Sequence, residues 1–189
     1  MPTRRTVLGA ASVAVLLAGA LPRAEATQPI LIGGGPAGSV DTQVVGHICR
    51  LVDEYLGETY SCIPQTVPGS VFNIRAIDVG LMEFGLAQPE RIHEAVVGIG
   101  PWEGMPVARL RSIFGLSPEA SRFVTSADVA EDLVYDVVRL VFENLEALRN
   151  VDAGLRGLDP VAMLEGLTAP LHPGATRYYR EQDWLQEHP

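Results

Sequence analysis

Two groups of residues in this chain have types and spacing that could do chemistry. The first is Gly33-Gly34-Gly35-Pro36-Ala37-Gly38, which follows an apolar run and satisfies G-x-G-x-x-G. After a buried strand, such glycines let the backbone amides of a helix N-terminus approach a pyrophosphate or another anion. A dinucleotide site also wants an acid about 20 residues further on, at the end of the second strand, to hold the ribose hydroxyls. Here that position reads Pro64-Gln65-Thr66, and Glu58 precedes the strand. The turn therefore fits a smaller anion better, with a flavin- or nucleotide-dependent oxidoreductase as the rival reading.

The second group is Cys49 and Cys62, the only cysteines. In an exported protein such a pair is most simply a disulfide, and closing so short a loop contributes about 3 kcal/mol on the chain-entropy estimate. A redox pair or metal site lacks its signature, because there is no C-x-x-C. His47, His93, His172 and His188 show no ligand spacing either, so no metal is expected.

Export is itself an expectation from the first 26 residues. Arg4 and Arg5 precede the apolar run Val7 to Leu21, and Ala24-Glu25-Ala26 forms an A-x-A cleavage site. Thr3-Arg4-Arg5-Thr6-Val7-Leu8 also resembles a twin-arginine signal. The expected mature chain, residues 27–189, is periplasmic and large enough for one domain with a real core. Removing Arg4, Arg5, Arg23 and Glu25 leaves 11 basic and 22 acidic residues, a net charge of −11. There is no lysine, and no basic patch remains to track a phosphate backbone, which argues against nucleic acid.

The elements that must position these residues alternate strand and helix. Pro29 to Gly33, Tyr60 to Pro64 and Phe84 to Ala87 read as strands. Between them Val40 to Tyr55 carries Val44, Val45, Ile48, Leu51 and Val52 on one helical face, and Ser70 caps a helix bearing Val71, Ile74 and Ile77. Pro89 to Val97 is a third helix. This β-α-β-α-β-α rhythm predicts an α/β lobe with a mostly parallel sheet flanked by helices. In such sheets ligands sit outside the carboxyl ends of the strands. Those ends are Gly34 to Ser39, Thr66 to Ser70, and Gln88 to Glu90. Free amides and the positive dipole end at a helix start favour a carboxylate or phosphate there, although Ser39 and Ser70 are equally good as ordinary N-caps.

Further along, Leu110 to Leu116 and Phe123 to Thr125 are apolar runs whose short connection suits a hairpin. Asp128 with Glu131 resembles a capping box before a long helix lined by Val134, Val137, Val138, Val141, Leu145 and Leu148. Asp159-Pro160 opens another helix ending near Gly166, and Tyr178, Tyr179 and Trp184 anchor the C-terminal one.

Taken together, "HICRLVDEY", "YSCIPQTVPGSVFNIRAI", "FGLAQPE", "LRSIFGLSPE", "FVTSADVAEDLVYDVVRLVFENL" and "GLTAPLHPGATRYYRE" resemble the TAXI family of solute-binding proteins, which serve TRAP-type transporters. The resemblance implies a periplasmic-binding-protein lobe and a non-catalytic receptor, or the truncated remnant of one. Such a receptor needs no cofactor and delivers a small organic anion, a glutamate-like amino acid or a dicarboxylate, to a membrane permease. Family members have two lobes, whereas here "SIFGLSPEAS" runs directly into "RFVTSADVAEDLVYD". The second lobe is therefore expected to be missing, with the junction near residues 120–123. A secreted interaction module using the face thus exposed is a further alternative.

Asp41, Thr42 and Gln43 stand where the family often carries tyrosines and a proline, and Asp41 would disfavour an anion if it faced the pocket. The ligand-binding residues expected are Gly35, Ala37, Gly38 and Ser39 from loop one, Pro68, Gly69, Ser70 and Asn73 from loop two, and Gln88 from loop three. Amides and hydroxyls would hold carboxylate oxygens, while Asn73 or Gln88 would read a polar group.

Overall fold

A computed structural model describes residues 27–117 and 120–185. The expected signal segment, residues 1–26, lies outside them. Five strands form one sheet in the order β2-β1-β3-β5-β4: β1 is Gln28–Gly33, β2 Tyr60–Gln65, β3 Phe84–Ala87, β4 Leu110–Gly115 and β5 Arg122–Ser126. β1 pairs in parallel with β2 and β3, and β5 runs antiparallel to both β3 and β4. Four strands thus point the same way, with β5 reversed among them, as the apolar pattern predicts.

Helices cover both faces, and the strand order says why. The chain steps outward from β1 to β2 and then back past β1 to β3. Right-handed crossovers in opposite directions must lie on opposite faces. α1 (Val40–Leu56) accordingly packs on one face, where α4 (Glu131–Glu143) and α6 (Pro173–Glu181) join it around Ile30, Ile32, Phe84 and Phe123. α2 (Ser70–Asp78) and α3 (Pro89–Val97) cover the other face around Ile74, Ile77, Ile92 and Val124. Every expected apolar residue of α1 (Val44, Val45, Ile48, Leu51 and Val52) is buried.

α1 is fastened to the edge strand β2 by a disulfide between Cys49 and Cys62, whose Cα atoms lie 4.9 Å apart. At the opposite edge, Ser112 of β4 accepts from the His172 amide at 3.1 Å and donates its own amide to Pro170 O at 2.9 Å. The C-terminal segment therefore covers that edge. α6 is held by aromatic contacts of Tyr178, Tyr179 and Trp184 with Phe142 and by the Tyr179 hydroxyl donating to Ile113 O at 3.0 Å.

Several local expectations are corrected. Gly69, not Ser70, is the N-cap of α2, because the Ser70 hydroxyl accepts from the Gln88 amide instead. Asp128 does not cap α4; Ala130 occupies that position without a side-chain cap, and the Asp128 carboxylate pairs with Arg109. The long helix breaks at Asn144, where its side-chain amide donates to Leu140 O at 2.9 Å, and α5 (Leu145–Arg149) follows. Asn side chains compete in this way with the helical ladder. Asp159 likewise accepts from the amides of Val161 and Ala162, and only a single 3-10 turn, Ala162–Leu164, forms where a helix was expected.

A candidate ligand site at the carboxyl edge of the sheet

The carboxyl ends of β1, β3 and β4 and the start of β5 share one edge of the sheet. Loop two and loop three meet there. The first turns of α2 and α3 border an open depression of about 610 Å³, lined by Pro68, Gly69, Ser70, Val71 and Phe72 on one side and by Gln88, Pro89, Glu90 and Arg91 on the other. The amides of a helix's first turn have no partner within the helix. Both dipoles therefore present their positive ends to the same space. The bond from the Gln88 amide to Ser70 Oγ, at 3.0 Å, holds the two loops together.

Arg91 adds less charge than its position implies, since its guanidinium lies 2.5 Å from Glu94 and 3.8 Å from Glu90. The attraction for an anion therefore comes mainly from the main chain. Of the nine residues expected to bind ligand, Pro68, Gly69, Ser70 and Gln88 line this depression.

Loop one does not line it. Its Gly35 and Ser39 fold around Thr42, while Ala37 and Gly38 are exposed: the Thr42 hydroxyl accepts from Gly35 N at 3.2 Å and lies 2.9 Å from Gly35 O. Ser39 caps α1, accepting from Thr42 N at 3.2 Å. The room that the three leading glycines make is filled by the protein itself. A Cβ on Gly33 would stand 1.9 Å from Asn73 Oδ1, one on Gly34 2.9 Å from the Thr42 backbone, and one on Gly35 2.7 Å from Ser39 Oγ. These glycines serve close packing, and the G-x-G-x-x-G match needs no pyrophosphate to explain it.

Asn73 lies beneath the site. Its side chain is fully buried, and its amide nitrogen donates to Gly34 O at 2.7 Å, Leu86 O at 2.8 Å and Gly33 O at 3.3 Å. It ties the ends of β1 and β3 together from below, so a direct contact with ligand is not its role in this geometry.

A contact invisible in the sequence crosses the edge instead. The Ser121 hydroxyl, at the start of β5, donates to Asp41 Oδ2 at 2.6 Å and accepts from Gln88 Nε2 at 2.9 Å. Burial pushes the Asp41 carboxyl up from its ordinary value, and the Ser121 bond draws it partly back. Asp41 thus faces β5 and is not among the residues lining the depression.

His172 is an N-cap. Its Nδ1 accepts from Gly174 N at 3.1 Å at the start of α6, and its Nε2 lies 3.1 Å from Val129 O. Both ring nitrogens are engaged with main chain, so the "APLHPG" histidine is structural.

A family model matches the sequence over residues 32–129 and 120–182. The chain belongs to the NMT1-like family. That family is periplasmic-binding-protein-like. Among solved structures, the NMT1-like chain is similar to the periplasmic aliphatic sulphonate binding protein SsuA from Escherichia coli. The two share 9% identity over 83% of this chain and 88% of that one, with a TM-score of 0.39. Among the described residues, no helix is long and apolar enough to cross a membrane.

Proposed function

We propose that this NMT1-like chain is a one-lobed extracytoplasmic solute receptor of a TRAP-type transporter, or its truncated remnant, related to the TAXI proteins it resembles. Its solute is a small organic anion, a glutamate-like amino acid or a dicarboxylate, seated where the N-termini of α2 and α3 open on one depression. That convergence is the observation that carries the reading, and membership of a solute-binding-protein-like family supports it. Export rests on the signal features of residues 1–26, and the absence of a second lobe on the direct run from "SIFGLSPEAS" to "RFVTSADVAEDLVYD". The neighbouring positions of β4 and β5 in the sheet are compatible with that short connection.

Affinity follows from having one lobe. A two-lobed receptor closes around its solute, excludes water and strengthens each electrostatic contact. Here the solute stays in contact with solvent. A charge-assisted hydrogen bond nets about 1.5–3 kcal/mol in favourable cases. Two or three of these must offset at least about 4 kcal/mol of lost freedom. The expected dissociation constant is on the order of millimolar. Isothermal titration of monomeric protein with glutamate, glutamine, 2-oxoglutarate and succinate tests this. A micromolar constant for any of them would show that one lobe suffices and would overturn the account of closure.

The alternative of an interaction module on the exposed face finds little support in the surface. The exposed apolar side chains Phe72, Val79 and Leu81 cluster along the flank of α2, where Pro68, Val71, Arg75 and Ala76 complete a shallow groove. Phe72 also borders the depression at the carboxyl edge, whereas Val79 and Leu81 do not line it.

A further inference from the structure

The reading of the depression as a solute site leaves open which acid it prefers, and the hydrogen bonds crossing the sheet edge bear on that. A carboxylate can only accept hydrogen bonds, so the proton in the 2.6 Å contact between Ser121 and Asp41 belongs to the serine hydroxyl. That hydroxyl has no second proton. Toward Gln88 it can only accept, so the Gln88 atom 2.9 Å away must be the nitrogen. The direction of every bond in the chain Gln88–Ser121–Asp41 is therefore set from the aspartate end. Among the described residues, Gln88 Nε2 is engaged by Ser121 while Oε1 has no hydrogen-bond partner, and Gln88 lines the depression.

We propose that Asp41, acting through Ser121, is a positioning residue that fixes the Gln88 amide so that it presents its carbonyl oxygen to the solute. Gln88 then selects acids that carry a hydrogen-bond donor beside the carboxylate. An α-amino or α-hydroxy acid meets Oε1 with N–H or O–H. A keto acid or plain dicarboxylate offers only lone pairs there, and two acceptors facing each other leave both unsatisfied. The preference is built by residues up to 80 positions apart in sequence, and it rests on the depression being the solute site.

The test compares ligands that differ in one group. Wild-type protein is titrated with 2-hydroxyglutarate and 2-oxoglutarate, which share carbon skeleton and charge, with dissociation constants read from amide chemical shifts. L-glutamate serves as a second donor-bearing probe. Wild type should favour the hydroxy acid about tenfold, the worth of one hydrogen bond made against one left unmade. Ser121→Ala and Asp41→Ala should each bring that ratio to within about twofold of unity, with backbone spectra unchanged away from the edge. In wild type the Gln88 amide protons should show cross-relaxation to the Ser121 β-protons, and in Ser121→Ala the corresponding signal to the new methyl should be lost.

Wild-type binding without a preference, or variants that keep the preference, would overturn the positioning role while leaving the receptor reading intact. No binding of any acid by wild type, with the Gln88–Ser121 contact observed, would overturn the receptor reading and the selectivity drawn from it.

Discussion

The amide of Cys62 donates to the carboxylate of Asp53 at 2.8 Å, and Asp53 lies one helical turn beyond Cys49, whose sulfur is bonded to the same Cys62. α1 thus grips a single residue of the edge strand twice, once covalently and once through a hydrogen bond. The arrangement also answers a liability. β2 pairs through Thr59 O and Gln65 O to β1, so the amides of Cys62 and Pro64, in alternate register, face away from the sheet. One is taken by Asp53, and the other does not exist. Of the three outward positions on this strand only Tyr60 is left with an N–H to donate, and such an edge is a poor template for another strand. Asp53→Ala is expected to lower stability by about 1–2 kcal/mol, and Asp53→Ala with Pro64→Val to increase association with concentration. Urea melts and sedimentation velocity check the two parts.

The disulfide itself makes a separate prediction. Thiol labelling of unreduced, unfolded protein should find no free sulfhydryl. Replacing both cysteines by alanine should cost about 3 kcal/mol for a loop of this length, given the separation of 13 residues. Two reactive thiols would show that the bond does not form.

Asn73 and Gly33 should behave as one unit. Asn73→Ala removes the donor shared by three carbonyls, and about 1–3 kcal/mol of stability should go with it. Gly33→Ala alone places a methyl 1.9 Å from Asn73 Oδ1 and should be strongly destabilising. With Asn73→Ala already present, the nearest remaining atom is the flexible Met82 Sδ at 3.1 Å. The second substitution should therefore cost much less in that background, a non-additivity that a double-mutant cycle measures directly.

These packing roles mark where the sequence stops being legible. The strands, α1 to α3 and the cysteine pair follow from local period and punctuation: Ile30 and Ile32 alternate with Leu31, and Gly69 and Pro89 stand at helix starts. Asn73 could have been recognised as structural, because it sits four residues before Ile77 on the buried side of α2. Ser121 could not. Its partners, Asp41 and Gln88, lie 80 and 33 residues away, and only the reversed strand β5 brings them together. The break at Asn144 escaped because the apolar stripe continues through it to Leu145 and Leu148, which are buried on the same core.

A pH dependence follows from His172. Burial, the leading cause, pushes its pKa below the ordinary value, and Arg111 nearby adds to the shift, while the Val129 carbonyl and Glu131 oppose it. The unfolded chain then binds the proton more readily than the folded one. The cap's stabilisation is complete above about pH 6.5 and is lost as pH falls below that toward the lowered folded value. His47, lowered by burial and then by Arg50, acts in the same sense. His172→Asn retains a capping side chain without a titrating ring. It should reduce, though not abolish, the fall in melting temperature between about pH 6.5 and pH 5. An undiminished fall would place the titration elsewhere.

The most direct test of a weak, single-lobe solute site is a map of where an acid binds. Monomeric, isotopically labelled protein is titrated with L-glutamate while its backbone amide shifts are followed. The account predicts that the largest shifts fall on the first turns of α2 and α3, at Ser70, Val71 and Phe72 and at Glu90 and Arg91, with a midpoint on the order of millimolar. Unmoved amides at those positions while shifts saturate elsewhere on the surface would contradict it.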